Sequence, residues 1–460
     1  MDASNILWIT LDSVRADHTS MYGYERDTTP YIAALQEDGV AFRQCFAHSR
    51  ATKPSSGAIL TGTPPTQNTL GITGDALPES VPTVAERFSD IGYRTACFSR
   101  NTYVSSATCL DRGFDRFQWL SSATLHQLHP TTVLRYLWNI RRHSAGLSLD
   151  TAKHSSAFLV NETAKRWLDQ FGTEDEPFFF YIHYNEPHRP YYPPLGYRDR
   201  FDDDIGIPTE EAAEFALQTH YDLLDVIADG CDLTEADREA LIGMYDTEIA
   251  YTDLMVGRLL EYVRSLDVGE TIIVVTADHG ELFGELGLLG HRHVVHPAVT
   301  HVPLVVCGLD DMAAGPEDLV QHVDVIHTLL ARAGADVDGI AGVDLRNERR
   351  AFAVSQAAPN DFDYLLERNP EFETSSFHES TLSALRTDRF CYQRSEDGAE
   401  LYERPNETED VRDQYPEVAA ELDQMLTSWM DEHGEPVGDG RHREFSPSKE
   451  RQLRELGYLE

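Results

Sequence analysis

Short, continuously apolar runs alternate with amphipathic stretches along most of this chain. The runs cover residues 6–11, 94–98, 178–184, 271–276 and 302–307. Runs without a polar face are expected of parallel strands covered on both sides. Helical spacing starts at Val81-Pro82 and stops near Gly92. It also fills 156–171 and 244–266. Strand–helix alternation of this kind predicts an α/β fold with a doubly wound, mostly parallel sheet.

The rest of the pattern divides the chain. Residues 118–150 are weakly patterned and read as an insertion. Residues 202–239 are acidic and read as a helical surface excursion near the active face. The alternation continues through 319–335, and 361–381 reads as a polar loop. A hairpin at 383–387 and 389–392, then Glu400-Leu401-Tyr402, then a helix over 416–433 predict a small C-terminal α+β subdomain. The expected division is a main domain over 1–345, the subdomain over 346–433 packed on it, and a loose Gly/Pro/charge-rich tail over 434–460.

Charge narrows the functions open to such a fold. The 460 residues carry 78 acidic and 38 Lys or Arg side chains, a net charge of -40. Nucleic acid and anionic lipid repel a chain this negative, so a nucleic-acid partner is excluded. There are four lysines: Lys53, Lys153, Lys165 and Lys449. An acidic, lysine-poor surface suits high salt, where screening removes self-repulsion, and it resembles that of proteins from salt-loving archaea. Six scattered cysteines form no C-x-x-C pair and read as reduced. Residues 1–4 lack a basic leader, and no apolar run approaches the ~20 residues of a membrane span. The expected address is the cytoplasm.

In a doubly wound sheet, ligands bind beyond the carboxyl ends of the strands. There the sequence places Asp12-Ser13, Asn185-Glu186-Pro187-His188 and Asp278-His279-Gly280-Glu281. Each alone is equally a loop residue or a helix cap. Together, two carboxylates and several imidazoles suggest a divalent cation on mixed oxygen and nitrogen ligands. Thr52 lies near a helix start marked by Pro54. As a plain cap it would be unremarked, but at a helix N-terminus beside a cation its alkoxide is stabilised and becomes a nucleophile. Arg100-Asn101 follows another strand end and reads equally as an anion contact or a surface pair. Asp246 and Asp253 read as solvated or capping residues.

These segments resemble the sulfatases, within the alkaline phosphatase superfamily. Residues 5–18 look like the first strand and metal loop of that family. Thr52-Lys53-Pro54-Ser55-Ser56 with Leu60-Thr61-Gly62 sits where the nucleophile motif falls. Pro187-His188-Arg189-Pro190-Tyr191 and Val274-Val275-Thr276-Ala277-Asp278-His279-Gly280-Glu281 resemble later motifs. Gly290-His291, 302–306, 385–389 and 400–402 continue the order.

The resemblance implies an alkaline-phosphatase-like fold in which Asp12, Asp278 and His279 hold one divalent cation (Ca, Mn, Mg or Zn). It makes Thr52 the nucleophile and a fourth ligand. It places His188 and His291 where they grip the transferred group or protonate the leaving oxygen, with His293, His296 and His301 as close alternatives to His291. The implied partner is a small anionic ester, a sulfated or phosphorylated metabolite or glycan.

Three departures bear on the chemistry. Thr52 stands where sulfatases carry the Cys or Ser that becomes formylglycine, Ser56 where they carry Arg, and Ser13 where many carry a further Asp. Threonine cannot form that aldehyde hydrate. The implied activity is metal-dependent hydrolysis of a sulfate or phosphate-type ester. Phosphodiester or phosphonate hydrolysis, a phosphoglycerol-type transfer and non-catalytic binding are the alternatives on the same scaffold.

Overall fold

The computed structural model describes residues 4–148, 150–172, 176–435 and 437. Apart from 434, 435 and 437, the expected tail lies outside the described residues.

Seven strands form the central sheet: β1 (Asn5–Leu11), β2 (Gly39–Phe42), β3 (Arg94–Ser99), β4 (Arg116–Trp119), β5 (Phe178–Tyr184), β6 (Thr271–Ala277) and β7 (Leu304–Cys307). Their order is β2-β7-β6-β1-β5-β3-β4. β6, β1, β5, β3 and β4 run parallel, and β7 and β2 close one edge antiparallel. All five runs read from hydrophobicity are strands of this sheet. β1 and β5 are buried at every position, as two-sided cover requires. The edge strands β2 and β4 were not expected. They are short and only partly buried, so the apolar signal is weak there.

The expected helices are present with shifted ends. Ala157–Phe171 matches the prediction closely. Val84–Asp90 begins later than Val81, because Thr83 caps it and closes a capping box with Glu86. The helix expected over 244–266 runs from Glu235 to Ser265. Its early start follows from a Thr234/Asp237 capping box inside the acidic stretch. Helices Thr209–Tyr221 and Leu223–Ala228 fill the rest of that excursion. The 118–150 segment is more regular than its pattern suggested, with helices Pro130–Trp138 and Ile140–His143.

Of two carboxylates on the long helix, one corrects the sequence reading and the other fits it. Asp246 is not solvated: it is fully buried and binds Arg26, His18 and Tyr24. Asp253 does cap, as one reading had it, accepting from the Tyr31 and Ile32 amides at 3.0 and 2.8 Å. It does so fully buried, and burial pushes its carboxyl up to about 7.

The C-terminal subdomain is a four-stranded antiparallel meander: β8 (Ala353–Ala357), β9 (Leu382–Arg386), β10 (Phe390–Arg394) and β11 (Ala399–Glu403). Helix Pro416–His433 packs on it. β8 was missed because its sequence, Ala-Val-Ser-Gln-Ala, is short and half polar.

A buried cation ties the subdomain to the main domain. Arg386 is fully buried, pairs with Glu407 at 2.8 Å and donates to the Val295 carbonyl at 2.8 Å. Val295 lies in the loop that also carries His291. Glu407→Ala would strand that guanidinium without a counter-charge. The expected cost is about 3–5 kcal/mol of unfolding free energy, read by chemical denaturation. Glu407→Gln, which still accepts a hydrogen bond, should cost less.

Candidate metal-centred active site

The parallel register brings three strand ends to one height. Leu11 of β1 lies opposite Tyr184 of β5 and Ala277 of β6, and Thr10 lies opposite His183. Asp12 and Asp278 leave the ends of adjacent strands, and both are fully buried. His183 points into the same space from β5. Asp12, His183 and Asp278 each bring a ligand atom to within 4.8 Å of the others.

His279 and Thr52 join this group. The His279 Nε2 atom lies 3.5 Å from Asp12 and 3.7 Å from Asp278. Thr52 Oγ1 is 3.0 Å from His279 Nε2 and 3.4 Å from Asp12 Oδ1. Thr52 opens helix Thr52–Thr61, with Ala51 as the extended residue before it. The helix dipole and its free amides therefore face the cluster.

The surrounding hydrogen bonds fix the orientation of these side chains. His279 Nδ1 donates to its neighbour's carbonyl, Gly280 O, at 2.9 Å, which leaves Nε2 facing the cluster. Asn101 Nδ2 donates to Asp12 Oδ2 at 2.6 Å. Of the two sequence readings for Arg100-Asn101, Asn101 turns inward, and Arg100 pairs with Glu186 at 3.7 Å. Ser13 adopts a left-handed backbone (φ 65°), and its amide donates to Asp278 Oδ1 at 3.2 Å. Tyr245 holds that loop, donating to Ser13 O at 2.7 Å and accepting from the Arg15 amide at 2.9 Å.

Gly280 lets the chain turn closely behind His279. A Cβ there would collide with the carbonyl oxygen of Ala298. Gly280→Ala is expected to destabilise by about 1–3 kcal/mol, checked by denaturant melts, and to weaken metal binding by shifting His279.

The charges fit a cation. Asp278 Oδ2 is buried with no hydrogen-bond partner among the described residues. Burial and the neighbouring Asp12 charge push the Asp278 carboxyl above the usual range. Burial alone would lower His279, but Asp278 and Asp12 outweigh it and raise it. A buried carboxylate pair with an orphaned oxygen and two imidazoles matches a divalent metal in donor type and number.

His188 and His291 stand one layer out. The His291 ring is 4.3 Å from that of His279 and 5.2 Å from that of His188. Burial drives both well below the usual histidine range. His291 Nδ1 pairs with buried Glu281 at 3.1 Å, and His188 Nδ1 donates to the Arg189 carbonyl at 2.9 Å.

The neighbouring histidines point elsewhere. His293 bonds Tyr364 and Asn360, His296 caps the Ala298 amide and His301 bonds the Arg43 carbonyl. The geometry thus brings together all six residues read from the sequence, and His291 is the one of its group that faces inward. Sequence reasoning missed His183, the Asn101 bond to Asp12 and the Glu281 partnership. A histidine one position before the end of an otherwise apolar strand was the available signal for His183.

The model of the family described as Sulfatase matches residues 4–335. An uncharacterized sulfatase, YidJ, of Escherichia coli is 22% identical over 351 residues, covering 72% of this chain and 68% of the relative. Arylsulfatase K of Bos taurus is 24% identical over 470 residues, covering 93% and 82%. Among solved structures, a phosphonate monoester hydrolase from Silicibacter pomeroyi superposes with a TM-score of 0.71 at 19% identity, covering 94% of this chain and 96% of that one. A structure in complex with its substrate D-glucosamine-2-N,6-O-disulfate gives 0.70 at 18% identity, covering 94% and 98%. With the family model spanning most of the chain, this protein belongs to the sulfatase family.

Proposed function

We propose that this protein is a divalent-cation-dependent hydrolase that cleaves a sulfate- or phosphate-type ester by nucleophilic attack of Thr52. The observation that carries the proposal is the position of Thr52 Oγ1 at a helix start, 3.0 Å from His279 and 3.4 Å from Asp12. Asp12, Asp278, His279 and His183 would hold the cation, and Thr52 would border it. When bound, the cation lowers the pKa of the Thr52 hydroxyl and neutralises charge on the ester oxygens.

The protein's own groups do the rest. Thr52 Oγ forms a bond to the phosphorus or sulfur centre as the bond to the leaving oxygen breaks. The helix N-terminus stabilises negative charge at Oγ. His188 and His291 are held neutral by burial, so in the first step one of them can take the Thr52 hydroxyl proton and pass it to the leaving oxygen. In the second step it can take a proton from attacking water and return it to Thr52 Oγ as the covalent bond breaks. Glu281 orients His291 through Nδ1.

Phosphorus is the favoured electrophile. Threonine lacks the gem-diol by which formylglycine expels sulfate, so a sulfated Thr52 would need direct attack by water. A phosphorylated Thr52 is hydrolysed by the same in-line route that formed it. The test is turnover of matched aryl sulfate, phosphate monoester, phosphodiester and phosphonate monoester substrates in high salt, across Ca, Mn, Mg and Zn. Phosphodiester or phosphonate turnover above sulfate turnover supports phosphorus. The reverse order would show that threonine serves sulfur. No turnover with metal bound would favour a transferase or a binding protein.

A further inference from the structure

The 118–149 segment breaks the composition of the chain. It contains no Asp or Glu in a protein with 78 of them, yet it carries Arg135, Arg141 and Arg142. It also holds the three most exposed large apolar side chains described, Leu147 at 96%, Trp138 at 88% and Leu134 at 65%, with Leu137 at 53% beside them. Elsewhere the exposed large apolar side chains, such as Tyr221 and Leu286, are scattered singly. Arg135 pairs with Glu162 at 2.8 Å, while Arg141 and Arg142 are exposed. An exposed aromatic and leucine face beside such arginines, in a stretch without acids of its own, is the pattern of a segment that lies on a lipid surface.

A cavity of about 370 Å³ opens within this segment, lined by Leu125, Leu137, Ile140, Leu147 and Leu159 among others. That is the size of a small-ligand site. Its inner wall includes Arg100, Thr151, His154 and Ser155, and the same four residues line a narrow cleft that reaches His188. His188 in turn leads through His291 to the metal-ligand cluster. The apolar chamber and the cleft toward His188 thus share one wall, to which Arg100 adds a cation.

Building on the hydrolase reading, we propose that the substrate is an amphiphilic ester taken from a lipid surface. Its anionic head reaches the Thr52 cluster, its apolar tail fills the cavity lined by Leu125, Leu137 and Ile140, and Trp138, Leu134 and Leu147 rest in the lipid. Arg141 and Arg142 complement anionic headgroups that the rest of the protein repels.

Two measurements test this, and neither needs turnover. The first is calorimetric binding of alkylphosphonic acids of two to eight carbons in high salt. Affinity should rise about fourfold per methylene, the ratio expected for burying each CH₂, and Leu137→Asp should flatten the series. Leu137 is half exposed, so that variant should fold, and its thermal melt checks this.

The second is flotation with vesicles of phosphatidylcholine and phosphatidylglycerol at two to one. Wild type should float, and Trp138→Asp should reduce the bound fraction at least tenfold. Affinity independent of chain length, or no flotation of the wild type, overturns the proposal. If Thr52 proves dispensable while both series behave as stated, the hydrolase reading fails and the lipid-surface site stands.

Discussion

Thr52→Ala is expected to lower kcat by about 10⁴-fold or more while leaving metal affinity within a few fold. The reason lies in the division of labour at the cluster. Thr52 supplies the only hydroxyl on the helix that faces His279 and Asp12 within hydrogen-bonding distance. Removing the nucleophile of a covalent mechanism removes the bond-forming step, and losses of that order are typical. The cation's charge-bearing ligands, Asp12 and Asp278, are untouched, so binding of manganese measured by calorimetry should persist. Thr52→Ser keeps the hydroxyl and should recover most of the rate, short of the fixed rotamer that β-branching enforces. A Thr52→Ala protein with wild-type kcat would end the mechanism proposed above.

Asp278→Asn should have opposite effects on the metal-free and metal-loaded protein. Without a cation, Asp12 and Asp278 bring ligand oxygens to within 4.8 Å in a fully buried space. At an effective dielectric of 20, two charges at that distance repel by about 3.5 kcal/mol. The amide removes that repulsion and retains an oxygen to accept from Ser13 and His279 amides, so the melting temperature of the chelator-treated protein should rise. With the wild type, a cation at a thousand times its Kd should stabilise by about 4 kcal/mol. Asp278→Asn should erase most of that increment. Differential scanning calorimetry of both proteins, with chelator and with excess manganese, gives four melting temperatures. A variant less stable than the wild type under chelation would mean that the carboxylates are not in electrostatic conflict.

The sheet was legible in the sequence because its central strands are buried on both faces. Runs such as Phe178–Tyr184 leave little else to fold into. Its edge strands were not, since Arg116–Trp119 is half buried and carries a mixed pattern. Asp12, Asp278 and His279 were legible as candidates because they follow apolar runs with side chains able to bind a cation. His183 was hidden by the same logic, lying inside the run and not after it. Asp246 failed for a different reason. A carboxylate on a long helix is usually solvated, and its three partners, Arg26, His18 and Tyr24, come from a loop more than 200 residues away in the chain. No local pattern encodes such a meeting.

The strand register has a consequence for how the protein comes to work at all. The site's contacts join residues 171 positions apart, between Asp12 and His183, and 265 apart, between Ser13 and Asp278. Pairings this distant carry a large loop-closure entropy and form late and slowly. A growing chain cannot assemble the ligand cluster until Asp278 and His279 have left the ribosome and β6 has docked beside β1. The cation therefore cannot nucleate folding, as it does in small metal-organised domains. On the metal-dependent reading proposed above, it would arrive at a finished sheet, and its binding would report that the whole order of strands has been achieved.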